Sequence, residues 1–180
     1  MQLQSILKFI DNISEWTGRI FVWLIIPLTI VVVYEVISRR IFNAPNIWAT
    51  EVTNYIYGPH FMLAAAYTLS CDEHVRVDIF YRNASPRRKA LVDLVGSLLL
   101  LLPVCLFLLW SSLDYAAASW SVTEASRQTG GLPGLFLLKS VIPLTALMLA
   151  LQGVAMAVRS IAILLGSDTN PGKPDTRKRP

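Results

Sequence analysis

Leu94-Val95-Gly96-Ser97-Leu98-Leu99-Leu100-Leu101-Leu102-Pro103-Val104-Cys105-Leu106-Phe107-Leu108-Leu109-Trp110-Ser111-Ser112-Leu113 runs for twenty residues without a formal charge. A helix crosses the hydrocarbon core of a bilayer in roughly 20 mostly apolar residues. Three further stretches have the same character: Ile20–Ile37, Val52–Cys71 and Ser140–Val158. They are spread along the 180 residues, and the short segments between and around them leave no room for a soluble catalytic domain. Backbone polar groups inside lipid must be satisfied within the protein, which restricts spanning segments to helices or closed barrels. The apolar runs are continuous rather than alternating, and this excludes a barrel. The expectation is an all-α membrane protein with four transmembrane helices.

Composition agrees. Hydrophobic residues make up 54% of the chain and the mean hydropathy is +0.51, too apolar for an ordinary soluble domain. The first stretch is followed by Ser38-Arg39-Arg40, not by a small-residue cleavage site, and reads as a retained helix.

The positions of the 16 Lys and Arg residues set the expected orientation. All lie in the N-terminal arm, the loop after the second stretch or the C-terminal end, except Arg39, Arg40, Arg127 and Lys139. Short cytoplasmic loops carry the Lys/Arg excess, so both termini should be cytoplasmic. The basic tail is then a topology signal and not a nucleic-acid-binding segment. Arg87, Arg88 and Lys89 follow Ser85-Pro86, a good N-cap and N1 pair. Cations there oppose the helix dipole, which local stability does not explain and orientation does.

Outside the spans, Leu3, Ile6, Leu7, Ile10 and Ile13 recur at helical spacing, with Gln4, Lys8, Asp11, Asn12 and Glu15 largely off that stripe. Residues 1–17 are expected to form an amphipathic interfacial helix, on the membrane surface or against a partner, with Trp16 as an anchor. Residues 18–165 form the transmembrane domain. Residues 166–180, rich in Pro, Lys and Arg, are expected to form a disordered cytoplasmic tail. The third helix has no break other than Pro103 before Gly130-Gly131, so it must tilt, break or protrude. Pro27, Pro59, Pro103 and Pro143 are expected to kink their helices.

Polar groups near the membrane are costly and are weighed singly. Glu35 and Arg39, four residues apart on one helix face, read as a local ion pair. Glu51 lies at the same level after Trp48 and is expected to pair with Arg39, Arg40 or another chain. Lys139 and Arg159 bracket the last span and can extend in opposite directions. No ionisable side chain is expected at mid-depth. His60 reads as a hydrogen-bonded packing residue. His74 lies in a loop, so no bis-histidine haem site is expected. Cys71 and Cys105 lack metal-ligand spacing, and no metal or cofactor is expected.

One pattern runs through these polar positions. Arg39 and Arg40 follow the first span, Trp48-x-x-Glu51 opens the second, and His74-x-Arg76-x-Asp78 occupies the next loop. Pro86 with basic residues, Glu124-x-Ser126, Gly131-x-Pro133 and Lys139-x-x-x-Pro143 complete it. In this order, over about residues 15–165, the chain resembles the small membrane subunit of tripartite ATP-independent periplasmic (TRAP) transporters, the DctQ-like family. The resemblance implies a location in the bacterial inner membrane and a large DctM-like membrane subunit as partner. It also implies a periplasmic substrate-binding protein, sodium-coupled uptake of organic acids, and no catalytic site on this chain. The small subunit would brace the large one. Arg39, Arg40, Trp48, Glu51, His74, Arg76, Asp78, Glu124 and Lys139 are the candidate contacts with partner or lipid. Two rival classes are a self-sufficient four-helix exporter, which needs a carboxylate near mid-depth of the first span, and a haem-bearing anchor of a redox enzyme, which needs paired span histidines.

Overall fold

The computed structural model describes residues 2–71, 85–128 and 131–166. The described residues are helical apart from turns and one isolated antiparallel bridge between Ala125 and Pro133. The elements are α1 (Gln2–Val22), α2 (Ile25–Ile41), α3 (Ile47–Ser70), α4 (Pro86–Gly96), a π-helical turn (Ser97–Leu101), α5 (Leu102–Ser121) and α6 (Leu135–Leu164).

By length and composition, three helical stretches among the described residues are apolar enough to cross a membrane. These are Gln4–Ile41, Pro86–Ser121 and Leu135–Leu164. The expected second span, α3, is 24 residues long but is not one of them. Thr53, Asn54, Tyr55, Tyr57, His60 and Tyr67 dilute its apolar character. Its neighbours explain why such a helix is tolerated, because α3 packs against α1, α2 and α6. The core joins Leu63 and Ala66 of α3 to Met148 of α6, with Phe21, Val141 and Leu149 around them.

α6 is the hub of the bundle and contacts α1, α3, α4, α5 and the π turn. Its buried positions are mostly small: Thr145, Ala146, Ala150, Gly153, Ala155, Ala157 and Ser160. Small side chains let helix backbones approach closely where lipid offers no hydrophobic drive for association. Gly153 shows the constraint, since a Cβ there would press on the Leu101 and Leu102 side chains.

Two of the prolines alter the helical hydrogen-bond ladder. Pro27 has no N–H for the Trp23 carbonyl, and the helix breaks at Trp23–Leu24, between α1 and α2. Leu24 and Ile26 there donate to carbonyls three residues back, Phe21 and Trp23, both at 3.2 Å. Ahead of Pro103 the ladder widens into the π turn instead, and the helix continues. The resulting 36-residue helix is about 54 Å long, well beyond a bilayer core of about 30 Å.

α1 turns most of its apolar stripe outward. The helix runs past residue 17 to Val22. Its inward face is Leu7, Asp11, Ser14 and Gly18, all buried. The apolar stripe points the other way: Ile6, Phe9, Ile13, Trp16 and Ile20 are all exposed. Of the expected stripe, Leu7 is buried, Ile10 is half-buried, and Ile6 and Ile13 are exposed. Polar partners on α6 draw the polar face inward, and the apolar face is left for lipid.

Candidate functional site

The loop-bearing end of the bundle gathers most of the predicted polar residues. The turn after α2 comes first. Glu35 accepts hydrogen bonds from the Arg39 side chain at 2.8 and 3.2 Å, as the i, i+4 spacing predicted. The same carboxylate accepts the Asn46 backbone N–H at 3.3 Å. Ser38 donates to the Ala44 carbonyl at 2.7 Å and accepts from the Asn46 amide at 2.8 Å. Asn43, with φ +50°, makes the left-handed step that the reversal needs. Trp48 packs on Tyr34 across this turn, ring centroids 5.5 Å apart. Arg40 is exposed, and with Arg39, Val32, Val36, Thr50 and Asn54 it lines a groove of about 380 Å³ between α2 and α3.

Glu51 does not pair with either arginine. Its buried carboxylate turns to the α5–α6 loop, where it accepts from the Ser126 hydroxyl and the Leu132 backbone N–H. Arg39 is taken by Glu35, and the loop offers Glu51 two donors that water cannot displace from a buried position. Tyr55, one turn further on, donates to the Leu132 carbonyl at 3.4 Å. Gly131 is required here, because a Cβ would overlap both Ser126 and the Glu51 carboxylate.

The loop itself is shaped by the end of α5. The Glu124 N–H bonds the Ser119 carbonyl at 3.0 Å and the Thr123 N–H bonds the Trp120 carbonyl at 3.1 Å. Thr123 sits at φ +43°, so the pair is a Schellman closure. It returns the Glu124 side chain to its own helix, where it accepts from the Ser119 hydroxyl at 2.7 Å. Lys139 of α6 completes an ion pair with Glu124 and sits 4.1 Å from the Tyr115 ring centroid. The Lys139 ammonium and the Ser119 hydroxyl hold the Glu124 carboxyl below the ordinary carboxylate range. Gly134, at φ +109°, then caps α6. A groove of about 750 Å³ opens beside this pair, lined also by Asn54, Tyr57, Met62, Tyr115, Arg127 and Ile142.

Deeper in the bundle lie contacts that the sequence reading did not reach. Gln152, buried in α6, donates to the Ser14 hydroxyl at 2.8 Å and the Ile10 carbonyl at 3.3 Å. Arg159 pairs with Asp11, which is 3% exposed, so it does not simply extend into water. The available signal was the i, i+4, i+7, i+11 series Leu7, Asp11, Ser14, Gly18, a small and polar face on an otherwise apolar helix. His60 is a hydrogen-bonded packing residue as expected: its Nδ1 lies 2.7 Å from the Phe21 carbonyl. That carbonyl can only accept, so Nδ1 carries the proton.

The loop-end residues fall into two separate clusters, Glu35–Arg39–Asn46 and Glu51–Ser126–Leu132 with Glu124–Lys139. His74, Arg76 and Asp78 lie outside the described residues. Among the described residues, no group of His, Cys, Asp and Glu side chains is arranged to hold a metal ion.

Residues 28–163 match the family described as "Tripartite ATP-independent periplasmic transporters, DctQ component". The chain belongs to the DctQ family. That family is a transporter component of the bacterial inner membrane, not an enzyme family, and its members work with a large permease subunit and a substrate-binding protein. The chain is also similar to the "Sialic acid TRAP transporter permease protein SiaT" of Haemophilus influenzae (strain 86-028NP), 31% identical over 104 residues. The match covers 57% of this chain and 16% of that relative, so most of the relative's length lies beyond it.

Proposed function

We propose that this DctQ-family chain braces the large transport subunit of a TRAP system that takes up organic acids on a sodium gradient. The large DctM-like subunit carries the substrate and sodium sites, and a periplasmic binding protein delivers the substrate. The Haemophilus influenzae relative is far longer than this chain. That fits small and large subunits joined in one polypeptide in that relative. The sialic acid in its printed name is an organic acid, which fits the substrate class.

The observation that carries the bracing reading is the division of surface. Only 11% of the most apolar window in Gln4–Ile41, and 11% in Pro86–Ser121, is buried within the chain, against 50% in Leu135–Leu164. The hub faces inward, and two long helical faces remain for lipid and a large partner. In this reading α3 is the fourth span, protected on three sides, and both termini are cytoplasmic. Arg39, Arg40 and Trp48 meet partner or headgroups at the periplasmic level, and His74, Arg76 and Asp78 do so at the cytoplasmic level. Glu51, Glu124 and Lys139 contribute by shaping the loop that the partner meets.

Reconstitution tests the proposal. The chain alone moves no organic acid under a sodium gradient, whereas the chain with its large subunit and binding protein does. Uptake by the chain alone would overturn the bracing role. Arg76→Ala reduces co-purification with the large subunit while membrane insertion is unchanged.

A further inference from the structure

The helix break at Trp23–Leu24 leaves a backbone defect that another helix repairs. In a regular helix the Phe21 carbonyl accepts from residue 25. Here it takes the Leu24 N–H at 3.2 Å, and His60 of α3 adds a shorter bond of 2.7 Å. The normal spacing resumes with Leu28 bonded to Leu24 at 3.1 Å. A carbonyl at a break inside a bilayer has no water to accept from and depends on donors from the protein. Leu24 supplies one, and His60 adds a second, shorter bond from another helix.

Beyond the break, α1 is docked by directional contacts along one narrow face. Gly18 lies under Tyr67, where a Cβ would overlap the ring. Ser14 and the Ile10 carbonyl meet Gln152, and Asp11 meets Arg159. Asp11 Oδ1 is buried with no hydrogen-bond partner, so the far end of the docking rests on Oδ2. The broad apolar face of α1 touches none of this. Ile6, Phe9, Ile13, Trp16 and Ile20 stay exposed, and swinging α1 within the lipid would cost them little burial.

We infer that Trp23–Leu24 is a hinge and that α1 is a lever latched against the bundle along its inward face. His60 closes the latch at the hinge, Gln152 holds Ser14 and the Ile10 carbonyl midway, and Asp11–Arg159 closes it at the tip. Each point is a polar contact that forms or breaks as a unit, the kind of element that supports two discrete positions rather than gradual flexing. A Phe at position 60 keeps the ring and removes the donor, and a Gln keeps a donor.

Pulsed electron spin resonance on the full chain in lipid nanodiscs tests this. Cys71 and Cys105, both buried and reduced, are replaced by Ala. Spin labels are placed at Lys8→Cys and Gln128→Cys, both exposed positions. The parent protein gives one narrow distance. His60→Phe with Arg159→Gln splits it into two populations, and His60→Gln alone keeps the parent distance. A control pair at Val122→Cys and Ile161→Cys stays fixed in all variants. The hinge is overturned if the double variant keeps the single distance, or if the control pair moves with it, since α1 would then be part of the core. The His60 staple is overturned if His60→Gln shifts the distance as far as His60→Phe.

Discussion

The Glu51 carboxylate of α3 accepts the Ser126 hydroxyl across 75 residues of sequence, and so ties the α5–α6 loop to a different helix. The same carboxylate holds the Leu132 N–H. One buried side chain therefore sets the shape of a loop at the bundle end. Glu51→Ala leaves a backbone N–H and a hydroxyl without their acceptor, a loss of about 2–4 kcal/mol. The loop becomes a preferred site of limited proteolysis, and co-purification with the large subunit falls, while membrane insertion is unchanged. An unaltered digestion pattern and full complex recovery would remove Glu51 from this role.

Gly131 makes a companion case. Gly131→Ala puts a methyl group into Ser126 and the Glu51 carboxylate, and the overlap costs about 1–3 kcal/mol. Thermal unfolding of Gly131→Ala in the Glu51→Ala background should show a smaller penalty than in the parent, because one clashing partner is gone and Ser126, freed from the carboxylate, can turn aside. Equal penalties in both backgrounds would separate the two residues.

The Glu124–Lys139 pair gives the bundle a pH dependence with a defined sign. Lys139 and Ser119 hold the Glu124 carboxyl below its unfolded value. Its stabilisation is therefore fully present above the ordinary carboxylate range and is lost as pH falls through the lowered folded value. Thermal unfolding of the parent and of Glu124→Gln should differ at neutral pH and converge in strong acid. A difference that is constant with pH would show that the charge is not responsible.

Orientation is open to direct chemistry. In cells, a membrane-impermeant thiol reagent added from outside should label Gln128→Cys and leave Asn83→Cys unlabelled. The reverse pattern would place the termini on the opposite side.

Arg159 tests the inward polar face of α1. Arg159→Met leaves Asp11 buried without its ion-pair partner, which costs about 3–5 kcal/mol. Asp11→Asn in the same background should recover much of the loss, because the uncompensated charge is removed. If the double variant is no better than Arg159→Met, burial of the Asp11 charge is not the cause.

Runs of apolar residues decided that this chain is helical and belongs in a membrane, because a bilayer imposes length and backbone satisfaction on any sequence that enters it. The Glu35–Arg39 pair was legible for the same local reason, since i, i+4 neighbours meet on any helix. The order of Arg39, Arg40, Trp48, Glu51, His74, Arg76, Asp78, Pro86, Glu124, Ser126, Gly131, Pro133, Lys139 and Pro143 pointed to the DctQ family. What those residues do was not legible, because it depends on distances across the bundle. Arg39 is satisfied within its own helix, so Glu51 turns to Ser126 and Leu132. The face of α1 was decided in the same way. Its apolar stripe pointed to the membrane surface or a partner and did not say which residues face the bundle; Gln152 and Arg159 of α6 supply partners for Ser14 and Asp11, and these turn inward. In lipid an apolar side chain gains little by turning inward, whereas a polar one gains a hydrogen bond, so tertiary structure alone could choose the buried face.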